Sequence, residues 1–303
     1  MAHKPDPLRL IILANTRKTV VRKALKDLKP WLVKRARIVA EPDIGQLSAA
    51  NVGDLPPADL ALVLGGDGTM LAQARHLARL RIPLLGVNFG KIGFLAEFNL
   101  EDLKAYWPAV ADQTCHRTPR LMMEALVFGA GAADCQFDHL DMDRCTFRSV
   151  ALNDAVITAG EPFRMLQMGL AIEPDDHSGT TSVIGDGIII STPTGSTAHS
   201  VAAGGPILSP EVEALCITPI CVHSLAFRPL VVRPDAGILI RLESANAGTT
   251  LVIDGQETVK LHQHDQIYVR QGPHPLLLVR NPQITYWEML ARKMRWAAKP
   301  RNV

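Results

Sequence analysis

The stretch that most restricts the fold is Asp59-Leu-Ala-Leu-Val-Leu64, which runs without a break into Gly65-Gly66-Asp67-Gly68-Thr69. An uninterrupted apolar run of this length predicts a parallel strand covered on both faces. Glycines directly after it predict a sharp turn. Met70 to Leu80 then has helical periodicity, and Pro83 to Asn88 is another short apolar strand. Upstream, Leu8 to Ala14 and Arg37 to Ala40 read as strands around a helical stretch, Lys18 to Val33. Strand, helix, strand in this rhythm predicts βαβ units and a parallel sheet.

After about Thr118 the texture changes. Strand-like runs, separated by Gly, Asp and Pro turns, include Leu121 to Val127, Val150 to Ala159, Met165 to Ile172, Gly187 to Ser191 and Gln266 to Arg270. Asp254-Gly255, between two such runs, is a hairpin signal. The tail, Tyr286 to Trp296, is amphipathic at helical spacing. The expectation is a Rossmann-like α/β domain over 1–118, a β-rich, sandwich-like domain over 119–280, and a return of 281–303 onto the first. A length of 303 residues suits two domains.

Composition excludes several classes. The balance of 32 basic and 30 acidic residues leaves a net charge of +2, which gives no reason to expect nucleic acid or an anionic membrane as partner. No window approaches ~18 uninterrupted apolar residues, so no membrane-spanning helix is expected. The short run Leu8 to Ala14 holds Arg9 and does not read as a signal peptide. The five cysteines (Cys115, Cys135, Cys145, Cys216 and Cys221) form no C-x-x-C pair. A disulfide framework and a zinc site are therefore not expected, and a cytoplasmic location fits best. The ten histidines show no H-E-x-x-H spacing, so no metal site is assigned to side chains.

Three segments carry chemistry. Gly65, Gly66 and Gly68 let the backbone come close to a phosphate or sugar, and free N–H groups at a helix start attract anions. Thr69 is a candidate helix cap. Asp67 repels phosphate unless it holds a metal or accepts a proton. The plainer reading is a glycine turn with Asp as turn former. The second segment, Ser191-Thr192-Pro193-Thr194-Gly195-Ser196-Thr197-Ala198-His199-Ser200, has hydroxyls that suit ribose and phosphate oxygens. Its alternative is a solvated loop. Third, Asn153-Asp154 interrupts an apolar run, where a polar pair costs a few kcal/mol unless it finds partners. A sugar's hydroxyls or a simple β-turn both fit.

Taken in order, Gly65-Gly66-Asp67-Gly68-Thr69, Gly90-Lys-Ile-Gly-Phe-Leu95, Asn153-Asp154 and Asp186-Gly-Ile-Ile-Ile-Ser-Thr-Pro-Thr-Gly-Ser-Thr-Ala198 resemble the NAD kinases. Gly204-Gly205-Pro206, His223 to Leu230 and Tyr286 to Trp296 extend the likeness over nearly the whole chain. The resemblance implies transfer of a phosphate from ATP, with Mg²⁺ or another divalent cation, to the 2′-hydroxyl of the adenosine ribose of NAD. It implies Asp67 as catalytic base and a phosphate loop of Gly65, Gly66, Gly68 and Thr69. It implies dinucleotide contacts from Asp67, Gly68, Asn153, Asp154, Asp186, Thr197, Ala198, His199, Ser200, Ala202 and Gln256, some of them across subunits of a dimer or tetramer. Two positions depart from the family. His199 stands where a tyrosine is usual, and Ile184 where many members have a basic residue.

There is no G-x-x-x-x-G-K-[ST] and no complete G-x-G-x-x-G, which disfavours a P-loop enzyme and an ordinary Rossmann dehydrogenase. A hydrolase triad of Ser196, His199 and Asp186 lacks the G-x-S-x-G elbow. A lipid or sugar kinase of the same superfamily and a non-catalytic NAD(P) sensor remain as alternatives.

Overall fold

The computed structural model describes residues 6–48, 51–90, 92–130, 141–173, 179–224 and 226–295. They fall into two compact units, one from Met1–Pro119 with Leu276–Val303 and the other Arg120–Pro275.

The first unit is built on a six-stranded sheet. Its strands are β1 (Arg9–Ala14), β2 (Arg37–Ala40), β3 (Leu60–Leu64), β4 (Leu84–Val87), β5 (Arg117–Arg120) and the chain's last strand, Leu276–Val279. In space the order is β2-β1-β3-β4, then Leu276–Val279, then β5. β1 pairs parallel with β2 and β3, β3 with β4, and β4 with the last strand. All five residues of β3 are buried, as a strand covered on both faces requires. The helix α1 (Thr19–Val33) buries Val21, Leu28 and Leu32, which share one face, in a core with Leu10, Ile12, Leu60, Leu62 and Leu64. Three further helices follow: α2 (Asp67–Leu77), α3 (Leu100–Ala105) and α4 (Trp107–Ala111).

Two sequence expectations change here. The helix after the glycine turn starts at Asp67, with Gly66 as its N-cap, so Thr69 lies inside the first turn and does not cap it. The apolar run Leu276–Val279, read with the β-rich part, pairs with β4 and belongs to the first unit. The tail helix, Tyr286–Met294, also belongs to that unit, opened by a Thr285–Glu288 capping box. Trp296 lies outside the described residues.

The second unit is a sandwich of two six-stranded sheets. One contains β6 (Met123–Phe128), β7 (Cys145–Ala151), β9 (Leu166–Ile172), β10 (Thr181–Gly185), β14 (Ile238–Ser244) and β17 (Gln266–Gln271). The other contains β8 (Asp154–Thr158), β11 (Gly187–Ser191), β12 (Leu215–Ile220), β13 (Leu230–Val232), β15 (Thr250–Ile253) and β16 (Glu257–Lys260). Period-2 alternation aims Met123, Ala125, Val127, Ile238 and Ile240 of the first sheet at Ala155, Ile157, Ile188, Ile190, Leu251 and Ile253 of the second. A short helix, α5 (His199–Ala202), follows β11. The run Val150 to Ala159, read as one strand, is two: β7 ends at Ala151, and the chain changes sheets through Leu152-Asn153 to start β8.

Leu62 is fully buried in the middle of the first sheet. Leu62→Ala is expected to cost about 2–5 kcal/mol in urea unfolding, by lost transfer energy and the cavity left behind.

Candidate active site

The glycine turn places Asp67 at the first helical position of α2, half-buried. An acidic side chain is favourable there, beside the positive end of the helix dipole. Its carboxylate accepts three consecutive backbone N–H groups: Oδ2 from Phe94 at 2.9 Å, and Oδ1 from Leu95 and Ala96, both at 3.1 Å. A Cβ on Gly93 would overlap this carboxylate, so the loop can approach Asp67 only with glycine at that position. Gly65 is packed against the Thr69 side chain, whereas a Cβ on Gly68 would meet no atom within 4 Å. The turn is thus tight on one side and open on the other. Thr69 is buried, and its hydroxyl lies 3.5 Å from the Asn15 side-chain amide.

In the second unit, the bend between β7 and β8 leaves three amides without a ladder partner. Asp254, which is 6 % exposed, takes all three. Oδ2 accepts from Leu152 at 3.0 Å, and Oδ1 from Asn153 at 2.7 Å and Asp154 at 3.1 Å. Asp254 and Gly255 both have positive φ, and Gln256 N–H closes their turn on Ile253. Burial pushes the Asp254 carboxyl up to about 6, against the pull of its amide hydrogen bonds.

Asp154, 1 % exposed, directs Oδ2 to His199 Nδ1 at 3.0 Å. Its Oδ1 is buried with no hydrogen-bond partner among the described residues. Burial raises its pKa, with the neighbouring His199 acting the other way. The His199 side chain is 61 % exposed. An unpaired oxygen on a buried carboxyl costs about 1–3 kcal/mol or more, and a ligand hydroxyl or amine offsets that cost.

The hydroxyl-rich segment behaves differently from its sequence reading. Thr192 Oγ1 donates to the Leu152 carbonyl, and Thr192 N–H donates to the Asn153 carbonyl. Ser196 Oγ donates to Pro193 O at 2.7 Å and accepts from Leu208 N–H at 3.0 Å. Gly195 packs directly on the Asn153 carbonyl. Thr192 thus braces the bend and Ser196 ties the segment to Leu208, while the Ser191 and Thr194 hydroxyls are buried with no hydrogen-bond partner among the described residues. Ser200, expected among the dinucleotide contacts, is fully buried with its hydroxyl 3.0 Å from Thr218 Oγ1. Thr197 and Ala198 are half-buried, and Ala202 and Gln256 are exposed.

Asp186 is exposed at the start of β11, while Ser191 at its other end pairs with Asp154. Five strand steps, roughly 16 Å, therefore separate it from Asp154 along the sheet. The Ser196, His199, Asp186 triad does not assemble.

Sequence reasoning missed an apolar cleft of about 570 Å³ on the outer face of the β8 sheet, beside His199 and Ala202. Its floor is Ile189, Val156 and Val252, direct cross-strand neighbours on β11, β8 and β15. Ile220, Cys221 and Gly255 complete it with Ala203. The signal was available, since these strands are apolar on both faces, but periodicity alone does not tell a covered face from a binding one. The role of Asp254 was also missed, because Asp-Gly is sufficiently explained as a turn.

Known proteins share this arrangement. The ATP-NAD kinase N-terminal domain profile matches residues 56–115, and the C-terminal domain profile matches 152–281. A crystal structure of yeast NADH kinase complexed with NADH superposes with a TM-score of 0.81 at 24 % identity, covering 98 % of this chain and 91 % of that one. An Archaeoglobus fulgidus NAD kinase in complex with ATP superposes at 0.65, with 22 % identity and coverages of 91 % and 95 %. The fold is thus shared with these two solved structures. A NAD kinase of Acidobacterium capsulatum is 34 % identical over 298 residues, 96 % of this chain and 99 % of its own length. One from Geobacter metallireducens is 40 % identical over 253 residues, 84 % and 83 % of the two chains. This chain belongs to the ATP-NAD kinase family.

Gly93→Ala is expected to push the Asp67 carboxylate off its amides and speed hydrogen exchange at Phe94, Leu95 and Ala96 by at least about tenfold. Unchanged exchange would mean that the carboxylate keeps its partners. Asp254 supplies a pH test. Its folded pKa, about 6, lies above the ordinary 3.8, so its contribution to stability is complete below the lower value and is lost as pH rises through the higher. The stability difference between wild type and Asp254→Asn should shrink by about 2 kcal/mol from about pH 4.5 to 7.

Proposed function

We propose that this chain is an NAD kinase, moving the terminal phosphate of ATP to the 2′-hydroxyl of the adenosine ribose of NAD. The observation that carries the reading is that the two family matches, residues 56–115 and 152–281, take in every residue assigned to the site.

Asp67 is the base. A carboxylate has about four acceptor positions, and three are filled by Phe94, Leu95 and Ala96, two on Oδ1 and one on Oδ2. The position left on Oδ2 accepts the ribose proton as the 2′-oxygen bonds to the γ-phosphorus. The bond from that phosphorus to the β–γ bridging oxygen breaks, and ADP leaves. The amides fix the direction of the base, so most of the rate comes from positioning. The phosphates lie against the Gly65-to-Thr69 turn, with the open space at Gly68 supporting a close approach; the Gly65 and Thr69 N–H groups are themselves held by the Val87 and Gly66 carbonyls.

Among the described residues no group of three metal-ligating side chains occurs. Bound with the nucleotide, Mg²⁺ or another divalent cation would neutralise charge on the transferred phosphoryl group.

The dinucleotide is held by Asn153 and Asp154, whose orphan Oδ1 supports a ligand contact there. Gly68, Thr197, Ala198, His199, Ala202 and Gln256 complete its surroundings, and Ser200 does not take part. His199 replaces the family's usual tyrosine, with less area for stacking. The position of Asp186, far along β11, supports a contact made to a neighbouring subunit of a dimer or tetramer. The cytoplasmic location rests on the cysteine pattern.

Asp67→Asn should lower NADP formation by more than about a hundredfold and leave the Kd for NAD within a few-fold. Near wild-type turnover in that variant refutes the base. A chelator should abolish turnover, and added Mg²⁺ should restore it.

A further inference from the structure

We propose that Asp254 is a positioning residue for the dinucleotide, setting the direction of Asn153 and Asp154 by clamping the backbone from which they project. The inference rests on the proposed function for its ligand.

Leu152, Asn153 and Asp154 sit where the chain leaves one sheet of the sandwich for the other. Asp254 takes the amides of all three at 2.7–3.1 Å, and its own amide donates to the Asp154 carbonyl at 2.9 Å. Each end of the bend is thereby fixed against the β15–β16 turn. The opposite side is braced by Thr192, bonded to the Leu152 and Asn153 carbonyls. With the backbone held on both sides, the Cα–Cβ bonds of Asn153 and Asp154 have one direction each. Asp254 itself is too buried to touch a ligand.

A turn alone does not require this acid. Asn-Gly makes the same pair of positive-φ residues as readily as Asp-Gly. What asparagine lacks is the second acceptor oxygen. Its NH₂ would face an N–H of Leu152, Asn153 or Asp154, and the clamp would open on one side. The turn also carries Gly255 into the apolar cleft beside His199, so the segment that holds the bend also lines the adjoining ligand surface.

The test compares wild type with Asp254→Asn in NADP formation and in calorimetric binding of NAD. The variant should raise the KM and the Kd for NAD at least about tenfold, keep the KM for ATP within about twofold and kcat within about threefold. A folded variant with wild-type NAD affinity, or one in which both KM values rise together, overturns the proposal. Absence of NADP formation by the wild type would overturn the kinase reading instead, and NAD binding would still judge Asp254. Should the variant fail to fold, the wild-type protein decides. The amide signals of Leu152, Asn153 and Asp154 should then shift together as Asp254 is protonated, and NAD binding should weaken with the same midpoint. The other titratable groups in or beside this cluster are Asp154, His199 and Glu257, and the His199 ring signals give its own midpoint in the same experiment. Amide signals that stay fixed, or a NAD affinity that follows His199 alone, overturn the proposal.

Discussion

A carboxylate that accepts three consecutive backbone N–H groups is the interaction on which both units depend. It occurs at Asp67, over Phe94 to Ala96, and at Asp254, over Leu152 to Asp154. In both places the chain has left a strand and its amides have no ladder partner. A buried amide left unpaired costs about 1–3 kcal/mol, so the loop shape in each unit is set by the acid that answers those donors. Around the first acid the effect spreads outward. Gly93 gives the carboxylate room, and Glu97 ties the next residues to Arg280 and Asn281 at the end of the last strand. The loop is therefore fixed at two points along its length.

The two acids share a coordination pattern and differ in what remains. Asp67 is half-buried at a helix start and keeps one acceptor position on Oδ2. Asp254 is buried, and burial lifts its pKa. A half-buried acid with an acceptor position left over suits proton transfer, while a buried one suits holding a backbone in place. Asp154 is a third case. It is buried, paired on one oxygen with His199 and unpaired on the other. That imbalance has a physical cost which binding can relieve.

The Ser/Thr-rich segment shows how composition misleads. Its hydroxyls are polar enough to meet ribose and phosphate, yet Thr192 and Ser196 are turned inward to carbonyls of the same unit. Close packing makes this possible, since Gly195 seats the segment against the Asn153 carbonyl. Thr192 and Gly195 of this segment hold the backbone of Leu152 and Asn153.

The sequence by itself determined the alternation of strands and helices around the glycine turn, the β-rich second half and the family. These follow from periodicity, from glycine spacing and from residues contiguous along the chain, which a single strand of text preserves. Tertiary structure decided the rest. Asp254 meets Leu152 to Asp154 across about a hundred residues of sequence. The last strand joins a sheet whose other members all lie before Arg120 or at it. Asp186, five residues before the hydroxyl segment, ends up at the other end of β11 from the Asp154 pairing. Hydrogen-bond partners and cross-strand register are set by which buried donors would otherwise go unpaired, and that condition exists only once the chain has folded.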